Sequence, residues 1–219
     1  MTPAPLQAWP ACDVHFAWID RDIVTLDVGR DAYGLLIDAA DHVRPGPSGR
    51  LLLDSADALA ALGDSGLVIA TPPTRPPPSP PSRPTHALPP GDGTVAALAP
   101  CLGAAVTAIA ATARFHRRPL RKLLSDAAQA RPPVRARPAS LADAYGAFDA
   151  ILPWIPGEGE CLQRAFMLHR HLVKAGRPAQ WVIGVRTWPF LAHAWVQVGP
   201  CVVGDSLERV RTFHPILAV

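Results

Sequence analysis

The chain reads as an α+β protein of two modules joined by a proline-rich linker, and three observations lead there. Residues 72–84, PPTRPPPSPPSRP, hold eight prolines in thirteen positions; such a stretch favours polyproline II and cannot enter a packed core. Before it, apolar residues recur with the two-residue period of strands. After it, helical spacing comes first and strand spacing last, the order of an α+β domain rather than of alternating βα units. The modules implied are 1–71 and 91–219, with 72–90 between them.

In the first module, Val14-His15-Phe16-Ala17-Trp18-Ile19 and Ile23-Val24-Thr25-Leu26-Asp27 flank Asp20-Arg21-Asp22 and predict a hairpin. Tyr33 to Ile37 (YGLLI) supplies a third strand. Asp54 to Leu62 predicts a short helix with Asp54 or Ser55 as its cap, and Leu67-Val68-Ile69 a last apolar run.

In the second module, Val95 to Ala113 carries no charge over 19 residues, long enough to span a bilayer. Nine of the nineteen are alanine, a weak driver of insertion, while Val95, Leu98, Leu102, Val106 and Ile109 step by 3, 4, 4 and 3. That stripe predicts a buried amphipathic helix instead of a span. Arg114, Arg117, Arg118, Arg121 and Lys122 follow and are read as a solvated helix end favoured by the macrodipole. Ser140, with Asp143 three residues on, opens a helix reaching Leu152, which Pro153 and Pro156 end. Cys161 to Ala175 has helical spacing at Leu162, Ala165, Phe166, Leu168, Leu172 and Val173, with Gly176 beyond its end. Strands are expected at Gln180–Val185, Ala192–Val198 and Val202–Val203.

Composition narrows the function. With 49% hydrophobic and 18% charged residues in 219, the chain is too apolar to be disordered. A net charge of +3 leaves no strong footprint for nucleic acid or anionic lipid, so neither nucleic acid nor membrane is expected as a partner. The start lacks a basic segment followed by an apolar one, which points to the cytoplasm. The cysteines, Cys12, Cys101, Cys161 and Cys201, form no C-x-x-C pair, against zinc-ribbon spacing and, in a reducing compartment, against disulfides. No phosphate-binding G-x-x-x-x-G-K-[ST] occurs, and no metal or cofactor is expected. His169 and His171 lie two apart on a helix, about 200° around it, so they do not share a metal and are read as surface residues. Trp154, Trp181, Trp188 and Trp195 suit either a peptide groove or core packing.

One cysteine stands out. Cys161 falls in the first turn of its helix, where unpaired N–H groups and the positive end of the dipole stabilise a thiolate. A thiol nucleophile needs a base and a group to orient that base. His193 lies in the strand pattern Leu191 to Val196, and Asp205 follows Val202-Val203-Gly204 at the end of the neighbouring strand, within reach of the imidazole.

Gly159 to Asp205 carries C-L-x-x-A from Cys161, G-V at Gly184, P-F-x-A-H-A-W from Pro189 to Trp195, and the terminal Asp205. Together these resemble the C-terminal transglutaminase-like domain of the lasso-peptide biosynthesis B proteins, the leader peptidases of lasso-peptide maturation. The resemblance implies a papain-like fold in which a helix bearing the cysteine packs on an antiparallel sheet bearing the other two residues. It implies that Cys161 is the nucleophile, His193 the general base and acid, and Asp205 the orienting residue. The front module is similar to the winged-helix leader-recognition domains fused to such peptidases. By that likeness the precursor's leader pairs along Tyr33, Gly34, Leu35, Leu36 and Ile37 as an added strand. The resemblance further implies that the freed core passes to a separate ATP-dependent, asparagine-synthetase-like lasso cyclase. Two other functions fit the same residues: a transglutaminase-type acyltransferase, in which an amine replaces water, and a non-catalytic leader-binding scaffold.

Overall fold

The computed structural model describes residues 5–73, 83–89, 97–132, 139–155 and 160–219. The chain divides into two units, Met1–Ser79 with Val185–Leu191, and Pro80–Gly184 with Ala192–Val219.

The first unit is built from short antiparallel strands. β2 (Val14–Ile19) and β3 (Asp22–Asp27) form the expected hairpin, in register from Val14 opposite Asp27 to Ile19 opposite Asp22. Asp20 sits at the tip with φ 53°, a left-handed conformation that aspartate tolerates better than most residues. β4 (Ala32–Leu36) pairs with β3 and closes a three-stranded sheet of order β2-β3-β4. At Gly34 an added Cβ would lie 2.6 Å from Thr25 Oγ1, so this strand approaches its neighbour too closely for a side chain.

A second sheet has the order β5-β6-β1-β7, from β1 (Leu6–Pro10), β5 (Val43–Pro45), β6 (Leu51–Leu53) and β7 (Val68–Ile69). Between β6 and β7 lies α1 (Ala56–Asp64), whose cap is Ser55, with its side chain accepting from the Ala58 N–H at 3.1 Å. Ala8, Ile23, Val43, Leu51, Leu53, Leu62 and Val68 form the core of this unit.

Among the described residues of the unit, one α-helix and two single-turn 3-10 helices accompany seven strands, fewer α-helices than the winged-helix expectation calls for. Between Val43 and Leu53, Pro45, Gly46 and Pro47 interrupt an α-helix, and a single 3-10 turn forms at Pro47–Gly49. On either side, Val43-Arg44-Pro45 and Leu51-Leu52-Leu53 pair with each other, and the leucine strand pairs with β1 as well.

The second unit is a helical layer over a five-stranded sheet. Its helices are α2 (Leu98–Phe115), α3 (Leu120–Ala128), α4 (Leu141–Ile151) and α5 (Cys161–Lys174). The sheet has the order β12-β9-β10-β11-β8, from β8 (His86–Ala87), β9 (Gln180–Arg186), β10 (Leu191–Val198), β11 (Cys201–Val203) and β12 (His214–Ala218), with α6 (Leu207–Arg211) between the last two. β8 lies inside the stretch expected as linker and pairs in parallel with β11, His86 opposite Cys201. The proline-derived boundary at residue 90 therefore cuts off an edge strand of the sheet.

Local signals place the helices as expected. The Ser140 side chain caps α4 by accepting the Asp143 N–H at 3.0 Å. α5 ends in a Schellman motif: Gly176 adopts φ 83°, its N–H donates to the Val173 carbonyl, and the Arg177 N–H donates to that of Leu172. Residues 133–138 and 156–159, including Pro156 and the Gly-Glu-Gly approach to α5, lie outside the described residues, as does Val95.

Two expectations about burial are corrected. On α2 the aliphatic stripe is the outer face, with Leu98 75%, Leu102 59%, Val106 62% and Ile109 62% exposed. The buried face is Ala104, Thr107, Ala108 and Ala111, directed at α4 and α5. Small side chains win the interior because they allow close helix approach, with dispersion contacts over the whole length of the crossing. α2 is long and apolar enough to cross a membrane by length and composition, yet its alanine face is occupied by these neighbours. His169 and His171, expected on the surface, are 1% and 7% exposed. α5 is enclosed by α2, α3 and α4 and by the sheet, so positions 200° apart are both interior. Burial pushes the His169 imidazole down to about 4, and His171 Nε2 meets the Ala144 carbonyl at 2.9 Å.

Candidate active site

Cys161 is the first residue of α5, with Glu160 preceding it in extended conformation. The thiol is exposed, unlike the buried Cys201. Its hydrogen bond with His193 is the largest influence on its titration and, against the effect of burial, holds it below the usual thiol range; backbone N–H groups of Ala194 and Leu162 act in the same direction. A thiolate at this point is supported by both the helix start and the strand facing it.

His193 is set by β10 and Asp205 by the end of β11. These strands pair antiparallel, with Val196 opposite Val203 and Val198 opposite Cys201. Extending the register three residues brings His193 level with the turn at Asp205 and Ser206. Gly204 makes that turn at φ 74°, where an added Cβ would lie 3.0 Å from Leu168 Cδ2 and 3.1 Å from Tyr145 Cε2. His193 Nε2 and Asp205 Oδ2 lie 2.5 Å apart, which leaves Nδ1 for the thiol. Two aromatic rings pack near the imidazole, with centroids 6.3 Å away at Trp195 and 5.1 Å at Phe213. Burial opposes a charge on His193, but the hydrogen bonds and charges of Asp205 and Cys161 outweigh it and raise the imidazole to about 9. Asp205 is likewise opposed by burial and still held below the ordinary carboxylate range by His193 and by the Ser206 N–H, which donates to Oδ1 at 2.7 Å.

The structure thus brings together the three side chains expected to carry the chemistry, and it adds residues that sequence reading passed over. Arg209 lies 3.9 Å from Asp205 Oδ1, four residues on. Ser206 caps α6, its side chain accepting from the Arg209 N–H at 3.2 Å; a serine directly ahead of Leu207-Glu208 is the signal the sequence offered for it. Arg164, one turn beyond Cys161, shares its face of α5, an i,i+3 relation the sequence also offered. It bonds to the Tyr145 hydroxyl, which donates to Asp149 at 3.0 Å. Burial and then Asp149 push Tyr145 up to about 12, so it stays protonated at neutral pH. Glu160, Arg164, Arg209, Leu168 and Val203 line a cavity of about 330 Å³ that opens on Cys161 and His193.

Of the tryptophans left open between groove and core, Trp181 and Trp195 are core, 0% and 2% exposed, while Trp154 and Trp188 are exposed. The strand expected to receive a leader, Tyr33 to Ile37, is β4 and the residue after it, at one edge of the three-stranded sheet. Tyr33 is exposed, with its ring 5.4 Å from that of Phe190 in the same unit, and Ile37 is exposed. Among the described residues no group of three or more His, Cys, Asp or Glu is placed to hold a metal.

Comparison with known proteins bears on the second unit. Over 49 residues the chain is 43% identical to the microcin J25-processing protein McjB of Escherichia coli, covering 22% of this chain and 24% of that protein. The match therefore spans about a quarter of the relative's length. No solved structure matches the chain. The family model of the transglutaminase-like superfamily matches residues 95–218, from just before α2 to the end of β12, more than half of the chain and the whole surround of Cys161, His193 and Asp205. On that match the chain belongs to the transglutaminase-like superfamily.

Proposed function

We propose that this chain is a cysteine peptidase that binds the leader of a lasso-peptide precursor and hydrolyses the leader–core bond. The observation that carries the reading is the 2.5 Å contact of His193 with Asp205 on one side of the ring and the Cys161 thiol on the other. Similarity to a protein named for processing microcin J25 supports a precursor peptide as the substrate.

In this mechanism the Cys161 thiolate attacks the carbonyl carbon at the junction, and the C–S bond forms as the carbonyl π pair moves to oxygen. The N–H groups at the start of α5 face the developing oxyanion. Collapse breaks the C–N bond, and the His193 imidazolium delivers its proton to the leaving amine of the core. His193, now neutral, takes a proton from water, which attacks the thioester and releases the leader as a carboxylate. The thiol leaves as thiolate, stabilised again by the imidazolium. Asp205 keeps the ring oriented and its charge compensated throughout. The first unit would hold the leader as an added strand on β4, and the freed core amine would then pass to a separate asparagine-synthetase-like cyclase. This assigns the chain to the cytoplasm, where such a precursor is made.

The test is incubation of the full chain with a lasso-precursor peptide that carries its leader, followed by mass spectrometry. A leader ending in a free carboxylate and an intact core are expected, with both absent for Cys161→Ala. An isopeptide-linked product with an added amine would instead establish acyl transfer, the reaction the superfamily's name denotes. Undiminished cleavage by Cys161→Ala would reduce the chain to a scaffold.

A further inference from the structure

Away from Cys161, the second unit has another concave site. A cleft of about 290 Å³ lies between the outer edge of α2, the residues that follow α3, and the C-terminal half of α5. Four cations line it: Arg114, Arg131, Arg170 and Lys174. They come from three separate segments, so their convergence is a product of the fold and not of a basic run in sequence.

Their polar partners are almost all neutral. Arg170 donates to the Asp126 backbone carbonyl at 3.0 Å, Arg131 to those of Ala128 and Ala130 at 3.0 and 2.8 Å, and Lys174 to Thr107 Oγ1 at 3.2 Å. Among the described residues no carboxylate forms an ion pair with any of the four, and Asp126, whose charge partly offsets the lowering of Arg170, is paired with Arg118. The crowding is felt: burial first, and then the charge of Arg114, lowers the guanidinium of Arg170. A concave surface with fixed, like charges and low-dielectric walls concentrates anions.

We propose that this cleft binds a phosphate group. Three guanidinium forks and one ammonium can surround a dianion of three or more oxygens, and a phosphate neutralises more of their charge than a single carboxylate does. Val106 and Val173 give the cleft an apolar wall, so the ligand carries an apolar portion next to its phosphate. Because Val106 also belongs to the exposed aliphatic stripe of α2, the phosphate is either that of a soluble ester or that of a phospholipid headgroup reached at a membrane surface.

Titration calorimetry of the full chain with inorganic pyrophosphate, and flotation with vesicles of phosphatidylglycerol or of phosphatidylcholine, separate these sources. Pyrophosphate binding that weakens at least tenfold in Arg114→Gln/Lys174→Gln, and weakens with added salt, supports a soluble phosphate. Flotation with phosphatidylglycerol alone, lost in the same variant, supports a headgroup. Both substituted residues are exposed, and an unchanged melting curve verifies the fold; Arg131→Gln, also at the rim, repeats the measurement if the double variant melts early. Absence of binding to either probe, equal binding by variant and parent, or equally tight binding of a polyglutamate peptide would overturn the proposal.

Discussion

At Cys161 the reactive species is set by neighbours rather than by the thiol itself. The imidazole, two backbone N–H groups and the start of α5 all favour the anion, while Asp205 keeps the imidazole charged to about pH 9. A thiolate–imidazolium pair therefore exists between the lowered titration of Cys161 and that of His193. Peptidase activity is expected to rise with pH through the first and to fall as pH passes about 9, in a profile of kcat/KM on a leader–core peptide. The fold follows the same sign. A histidine raised from 6.5 contributes stability that is complete below pH 6.5 and is lost as pH rises through 9; thermal melts from pH 6 to 10 should follow that loss. Asp205→Asn removes the charge that sustains the imidazolium, so kcat should fall on the order of a hundredfold or more and the alkaline limb should move to lower pH. A pH–rate profile of that variant with its limb still near 9 would assign the raised imidazole to another group.

Among the elements, β10 does two jobs. It carries His193, and two residues on it carries Trp195, which stacks beside the imidazole and packs on Gly184 of β9. An added Cβ at Gly184 would lie 2.6 Å from the Trp195 ring. Gly184→Ala should thus cost about 1–3 kcal/mol and reduce the proposed activity as well, since the displaced indole stacks beside the His193 ring. A denaturant melt and a rate measured on one sample check both effects. The cap of α4 gives a milder test. Ser140→Ala leaves the Asp143 N–H without its partner and should cost about 1 kcal/mol, with no effect on the rate at saturating substrate. α2 behaves differently from both, since its contact with the core is made by alanines while its large residues face outward.

On the scale of the whole chain, the first unit offers a strand edge and the second the exposed thiol of Cys161. If β4 receives the leader, Ile37→Glu, at the exposed end of that strand, should weaken binding of a labelled leader about tenfold by fluorescence anisotropy. The sheet order makes a further prediction. A fragment starting at residue 80 retains β8 beside β11, whereas one starting at 91 strips the edge strand and its pairing with Cys201 and Val202. The shorter fragment should melt lower. Equal melting temperatures would mean that β8 adds nothing to the sheet.

Much of this was written locally. The β2–β3 hairpin, the Ser55 and Ser140 caps and the end of α5 at Gly176 each depend on residues within a few positions of one another, where turn chemistry, capping and alternation act, whereas Cys161, His193 and Asp205 were singled out as a set drawn from one helix start and two strands. Other features depend on what lies across the interior. The sequence marks the aliphatic stripe of α2 but not which face a neighbouring helix will choose, and close packing chose the alanines. His169 and His171 are polar by type and interior by position, because α5 packs against three helices and the sheet. β8 looked like linker, since a two-residue strand has no periodicity and exists only by pairing with β11. The same holds for the cleft of Arg114, Arg131, Arg170 and Lys174, whose members are spread over sixty residues of chain. Local sequence dictates what each segment can form, whereas the contacts that decide burial, edge pairing and charge convergence are made between segments, and the free energy of those contacts exists only once the chain has folded.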